Sequence, residues 1–207
     1  VRLSKRELRV DEDEFHEAYG KVSEREVSAL KDAKESLKLV EGEALERLRW
    51  SFSGKDGVEV RLTVKPLKSV GCYVPGGRAS YPSSLVMTCA PAFMAGVSRV
   101  AVCSPPSHLK ILNPLLLVAA DICGVREMYR VGGAQAVAAL AYGTETIQRV
   151  EKIFGPGNVY VTAAKLTVSQ NVAVDLPAGP TELLIVADES ADPMNVARDL
   201  IAQAEHG

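Results

Sequence analysis

Apolar and polar positions follow two patterns in this chain, and they change over near residue 57. Across residues 11–50, Val22, Leu30, Leu37, Leu45 and Leu48 recur among Lys, Arg and Glu at roughly helical spacing. Gly20 and Gly42 are expected to break this region into segments, and Ser23 with Glu26 fits a capping box. Residues 58–64 (VEVRLTV) alternate with period two and predict a strand. From Leu67 onward short β-branched runs take turns with longer helical runs. Strands are predicted at Leu67–Val74, Arg99–Cys103, Val125–Val131, Lys152–Phe154, Asn171–Val174 and Glu182–Ala187. Helices are predicted at Ser83–Gly96, despite Pro91, at Leu109–Ile122 with a stop at Gly124, at Ala134–Tyr142, and at Asn158–Gln170. Asp192-Pro193 reads as an N-cap followed by Pro at the first position of a last helix.

Strands joined by helix-length crossovers fold most simply as a parallel sheet with helices on both faces. The expected class is therefore α/β, a Rossmann-like sheet preceded by a charged helical arm. The boundary is placed at SFSGKDG, residues 51–57, which gives an arm over 1–57 and a nucleotide-binding-like region over 58–207. The arm would serve in packing or dimerisation. No fixed-period repeat and no low-complexity segment is visible.

Composition narrows the function classes. The 207 residues are 47% hydrophobic and 24% charged, ordinary proportions for a globular protein. A net charge of −2 argues against a general nucleic-acid binder. Residues 1–20 are charged almost throughout and predict no secretory signal. The most apolar run, Ile111–Val118 extending to Cys123, is interrupted by Pro114 and Asp121 and is too short to span a bilayer. A soluble cytoplasmic protein with no membrane partner is expected. Cys72, Cys89, Cys103 and Cys123 form no CxxC clip, and three lie in apolar runs, so buried free thiols are expected.

Candidate chemistry gathers at glycine turns between strands and helices. A GxGxxG fingerprint is absent. Gly132-Gly133-Ala134-Gln135 and Gly155-Pro156-Gly157-Asn158 each follow a strand and open a helix. Their N–H groups could meet a phosphate or another polar ligand, or could serve only the turn. The amides of Gln135 and Asn158 donate and accept at once, which suits a ribose or a carboxamide; Asn158 fits a plain N-cap equally well. Tyr73, before Pro75-Gly76-Gly77, could stack on a ring or close the core beneath the loop. On the last helix Val196, Ala197, Leu200, Ile201 and Ala204 form a stripe expected to face the core. Gln203 and His206 share the polar face, either as a solvated pair or as two metal ligands, and two ligands alone do not make a zinc site. His16 and His108 have no partner in the pattern and read as a surface and a structural histidine.

Taken together, YVPGGRASYPSSLVMTCAPAFMAGVSRVAVCSPP at 73–106, VGGAQAVAALAYGTETIQRVEKIFGPGNVYVTAAK at 131–165, DLPAGPTELLIVAD at 175–188 and QAEH at 203–206 resemble the histidinol dehydrogenase family. The resemblance implies NAD-dependent oxidation of L-histidinol to L-histidine in two steps through the aldehyde, with zinc in the substrate site. By it, Tyr73, Gln135 and Asn158 match NAD-contacting positions. Gln203 and His206 match two zinc ligands that also touch substrate. Thr181 falls where most members carry a substrate-contacting Ser in GPSE; the hydroxyl survives with an added methyl. The family's catalytic Glu-His pair and its other two zinc ligands, an Asp and a His, would lie beyond Gly207. The resemblance thus implies a part-length chain, inactive alone, from a homodimer that exchanges helical arms. The alternatives are a non-catalytic nucleotide-binding or dimerisation module, or an NAD-linked dehydrogenase of another amino alcohol.

Overall fold

The structure, a computed structural model, describes residues 3–76, 80–176 and 182–204. The chain divides into two compact units, residues 1–176 and 177–207.

The first unit opens with α1 (Lys5–Leu8), α2 (Glu12–Tyr19) and α3 (Glu24–Arg47). The predicted capping box is present: Ser23 Oγ accepts from Glu26 N–H, and the Glu26 carboxylate accepts from Ser23 N–H. Gly42 does not break α3. A Cβ there would lie 3.5 Å from Met94 Cε, so the glycine sits where α3 packs on a neighbouring helix. That packing outweighs a helix penalty of about 1 kcal/mol. The antiparallel hairpin β1 (Trp50–Ser53) and β2 (Glu59–Leu62) follows, with Trp50 opposite Leu62. Its turn falls in the stretch read as the domain boundary, residues 51–57.

The rest of this unit is a five-stranded parallel sheet. Its strands are β3 (Ser69–Tyr73), β4 (Arg99–Ser104), β5 (Glu127–Arg130), β6 (Lys152–Phe154) and β7 (Ala173–Val174), in the order β5-β4-β3-β6-β7. Between them run α4 (Pro82–Met94), α5 (Pro114–Cys123), α6 (Gly133–Tyr142) and α7 (Val159–Val168). Side chains on a strand alternate between faces. Val70, Cys72, Val100 and Val102 pack with α4 and α5, whereas Tyr73, Ala101 and Cys103 pack with α6 and α7. The sheet is doubly wound, as expected, and its order reverses between β3 and β6. The arm adds a layer over α5: Tyr19 Oη donates to Asp121 Oδ2 at 2.9 Å, and Lys34 Nζ to Ile122 O at 2.6 Å. Arg130, buried at the end of β5, donates to the carbonyls of Glu7 and Arg9 and pairs with Glu14.

Two predicted elements differ. The helix expected from Leu109 begins at Pro114. Lys110 adopts φ 64°, which ends any helical path, and Asn113 caps α5 through Leu115 N–H at 2.8 Å. All four cysteines are buried free thiols, as expected; burial pushes the Cys123 thiol up to about 11.

The second unit, by itself, carries α8 (Pro193–Ala204). Asp192 Oδ1 accepts from Met194 N–H at 2.9 Å, the predicted cap. Residues 182–187 form no strand. Strand-forming side chains need a hydrogen-bonding neighbour, and no ladder reaches this segment among the described residues; Leu184 and Val186 are exposed. The α8 stripe does not face a core either: no residue of α8 is buried, and Leu200 and Ile201 are exposed. A unit of this size cannot enclose a helix face by itself. No helix among the described residues is long and apolar enough to cross a membrane.

Candidate functional site

The carboxyl ends of β3 and β6 diverge into loops on opposite faces, and ligands of open α/β sheets settle in the crevice this leaves. Tyr73 ends β3 there. Its ring is buried (4% exposed) and closes the core beneath the loop, the second of its two predicted readings. Its hydroxyl accepts from Gly133 N–H, the first residue of α6, at 3.1 Å. Burial pushes this phenol up and the Gly133 donor partly offsets it, so Tyr73 is a neutral phenol with a proton still to donate.

Two glycines are fixed by close approach. Gly155 follows β6 with φ +112°, and a Cβ on it would stand 2.0 Å from Tyr73 O. A Cβ on Gly132 would meet Pro105 Cβ at 2.4 Å. The loops after β3, β4, β5 and β6 therefore press on one another, leaving backbone where side chains would otherwise stand.

Gln135 and Asn158 lie on the flanks of this edge, both exposed, at the openings of α6 and α7. Asn158 Oδ1 accepts from Tyr160 and Val161 N–H at 3.1 Å each, a full N-cap. That use of Oδ1 leaves the amide NH₂ as the part able to meet a ligand. Tyr73, Gln135 and Asn158 thus come to one edge, with the phenol, two helix openings and the Gly155 turn around them.

Sequence reasoning passed over the groups that hold this edge from below. Lys165 Nζ, buried on α7, donates to Gly155 O at 2.9 Å and forms an ion pair with Asp175. Asp175 Oδ2 accepts from Gly155 N–H at 2.8 Å. The signal was present, since Val161, Lys165 and Val168 share one helical stripe and its two valines are core. On the α4/α5 side of the edge, a cleft of about 390 Å³ runs beside Pro75, Gly76 and Pro105. Ser80 Oγ and Ser104 Oγ line it, buried and, among the described residues, without a hydrogen-bond partner.

Thr181 and His206 lie outside the described residues. Gln203 lies on α8, partly exposed. Zinc sites take about four donors. Among the described residues no three His, Cys, Asp or Glu side chains converge as a metal site, so the donor set described here does not make one. His16 and His108 are both exposed.

Fold and edge define the class first: a doubly wound, parallel α/β protein with closely packed glycine turns at its switch point. Comparison with known proteins then makes it particular. The family profile described as histidinol dehydrogenase matches residues 1–207. The histidinol dehydrogenase of Methanopyrus kandleri is 51% identical over 100% of this chain and 48% of its own length, and that of Archaeoglobus fulgidus 48% identical over 96% and 49%. The crystal structure of histidinol dehydrogenase from Elizabethkingia anophelis superposes with a TM-score of 0.87 at 39% identity, covering 97% of this chain and 46% of that one. The chain belongs to the histidinol dehydrogenase family. It spans about half the length of the relatives it matches.

Proposed function

We propose that these residues form the NAD-binding part of a zinc-assisted histidinol dehydrogenase, which oxidises L-histidinol to L-histidine through the aldehyde in histidine biosynthesis. One observation carries the reading. Tyr73, Gln135 and Asn158, assigned to NAD by resemblance, stand on a single sheet edge around a turn that only glycine fits. A crevice lined by backbone and neutral amides suits a dinucleotide that must bind, react and leave.

Bound NAD supplies the hydride acceptor. The chain's own residues orient it. The Asn158 NH₂ offers donors and the Gln135 amide offers both a donor and an acceptor to ribose or carboxamide groups, and the Tyr73 phenol offers its remaining proton. Gly155 lets the ligand approach the backbone at the switch point. By resemblance, Gln203 and His206 would give zinc two of its donors, and these two residues and Thr181 would contact substrate. The proposal includes a cytoplasmic homodimer, supported by exposed Leu39, Val40, Trp50 and Phe52 on the arm and hairpin.

Calorimetric titration with NAD tests the reading. Saturable binding is expected, weakened about tenfold in Asn158→Ala and Gln135→Ala, because each removes an amide that would leave its ligand partner unpaired. No heat at millimolar NAD would refute it. Assayed alone with histidinol and NAD, the 207 residues are expected to form no NADH.

A further inference from the structure

The pair Lys165–Asp175, with Lys165 buried and Asp175 partly buried, has no evident reason to exist as a stabiliser. Removing an ammonium and a carboxylate from water costs more than an ordinary ion pair returns, and apolar side chains of the same shape are often as stable or more so. The position is otherwise suited to such a side chain, between Val161 and Val168 on a core stripe. The pair instead holds one residue by both of its backbone polar groups, in the two successive peptide units that meet at Gly155. Asp175 takes the N–H of Gly155 at 2.8 Å, and Lys165 gives to its C=O at 2.9 Å.

Three further contacts show what this fixes. Gly155 is the first residue past β6, where the sheet ladder no longer determines its position. It rests against Tyr73 O, at the switch point between β3 and β6. Lys165 also belongs to the helix that Asn158 caps, so the loop Gly155-Pro156-Gly157-Asn158 and α7 close into a ring through the Lys165 ammonium. At its other end Asp175 N–H donates to Ile153 O at 3.1 Å, extending the β6–β7 ladder by one step. In sequence, Asp175 stands six residues before Thr181.

We infer that Lys165 and Asp175 are positioning residues: a charged clamp that sets the height of the 155–158 loop, and so dinucleotide affinity. The inference rests on the nucleotide reading for its consequence, but the clamp itself is separable. Charge is what the job requires. A charge-assisted hydrogen bond is shorter and more directional than a neutral one, and here two of them act on one glycine that has no side chain of its own to pack.

The experiment uses the 207-residue protein with Lys165→Met, Asp175→Asn and Asp175→Ala, reading NAD titration, thermal midpoint and amide hydrogen exchange. Lys165→Met should bind NAD about tenfold more weakly while remaining folded, because small misplacements of a binding loop carry large costs. Asp175→Ala should exchange the Gly155 amide about 100-fold faster, with the β3 and β4 amides unchanged, as expected of a local opening. Asp175→Asn keeps an acceptor for Gly155 and should fall between wild type and Asp175→Ala in both readouts. NAD affinity within twofold of wild type in the folded variants would overturn the inference. So would acceleration spread evenly over all amides, which marks a merely structural pair. If Lys165→Met does not fold, the two Asp175 variants decide by the same criteria. Wild-type protein that fails to bind NAD would remove the nucleotide reading, and the Gly155 exchange rate would still decide the clamp.

Discussion

The two edges of the parallel sheet solve the same problem in opposite ways. At the amino edge, Arg99 opens β4 and Glu127 opens β5. Arg99 holds the carboxylate with two bonds of 2.8 Å and spends its other donors on the carbonyls of Gln148 and Arg149 at 3.1 Å. The Tyr129 hydroxyl lies 2.6 Å from Glu127 and 3.0 Å from Thr146 O. The protein itself satisfies this network. At the carboxyl edge, Ser80 and Ser104 keep buried hydroxyls without partners, and glycines hold backbone against backbone. Buried polar groups are seldom left in that condition unless water or a ligand completes them. The first edge satisfies its own polar groups and the second leaves capacity unused among the described residues.

The sharpest way to break this contrast is Gly155→Ala. The methyl would collide with Tyr73 O and require a left-handed backbone, so a loss of more than about 3 kcal/mol in urea unfolding is expected. An unchanged midpoint would mean the carboxyl edge is not tightly built. Arg99→Ala comes next, at about 2 kcal/mol, since it strands a largely buried carboxylate; NAD affinity should not move. Its pH dependence sharpens the point. Burial raises the Glu127 carboxyl, but the Arg99 and Tyr129 bonds outweigh it and hold it below its usual 4.5. A depressed folded value contributes stability above about 4.5 and loses it as pH falls through the folded value. Wild type should therefore weaken in acid through Glu127, and Arg99→Ala should weaken less. Ser104→Ala should change stability by under about 1 kcal/mol, because it deletes a hydroxyl that has no protein partner. A larger loss would show the hydroxyl to be structurally engaged.

Much of the molecule was legible wherever local chemistry and tertiary packing agreed. The alternation from Leu67, the Ser23 capping box, the Gly132-Gly133 and Gly155 turns, and the Pro193 helix start all signal their structure locally. Errors came where a neighbour decided. Gly42 looked like a break because Met94 is invisible to periodicity. Leu109 and Ile111 read as helix because they are apolar, yet Asn113-Pro114 and the left-handed Lys110 start α5 later. Residues 182–187 had strand propensity and no ladder. At the candidate site, exposed amides beside glycines could be found by their types. The clamp beneath them could not, because Lys165 and Asp175 acquire meaning only when the fold brings them to one residue, Gly155.

The strand order also has a consequence for how the chain is made. Val70 on β3 pairs with Val100 on one side and with Lys152 on the other. Translation delivers β3, β4 and β5 well before β6, and the longer closure is the costlier one. Until residue 154 has left the ribosome, the strand destined for the middle of the sheet is an open edge, with a row of unpaired amides available to any passing chain. The junction between β3 and β6 therefore comes into being only after β3, β4 and β5 have been made, with β7 closing on β6 later still.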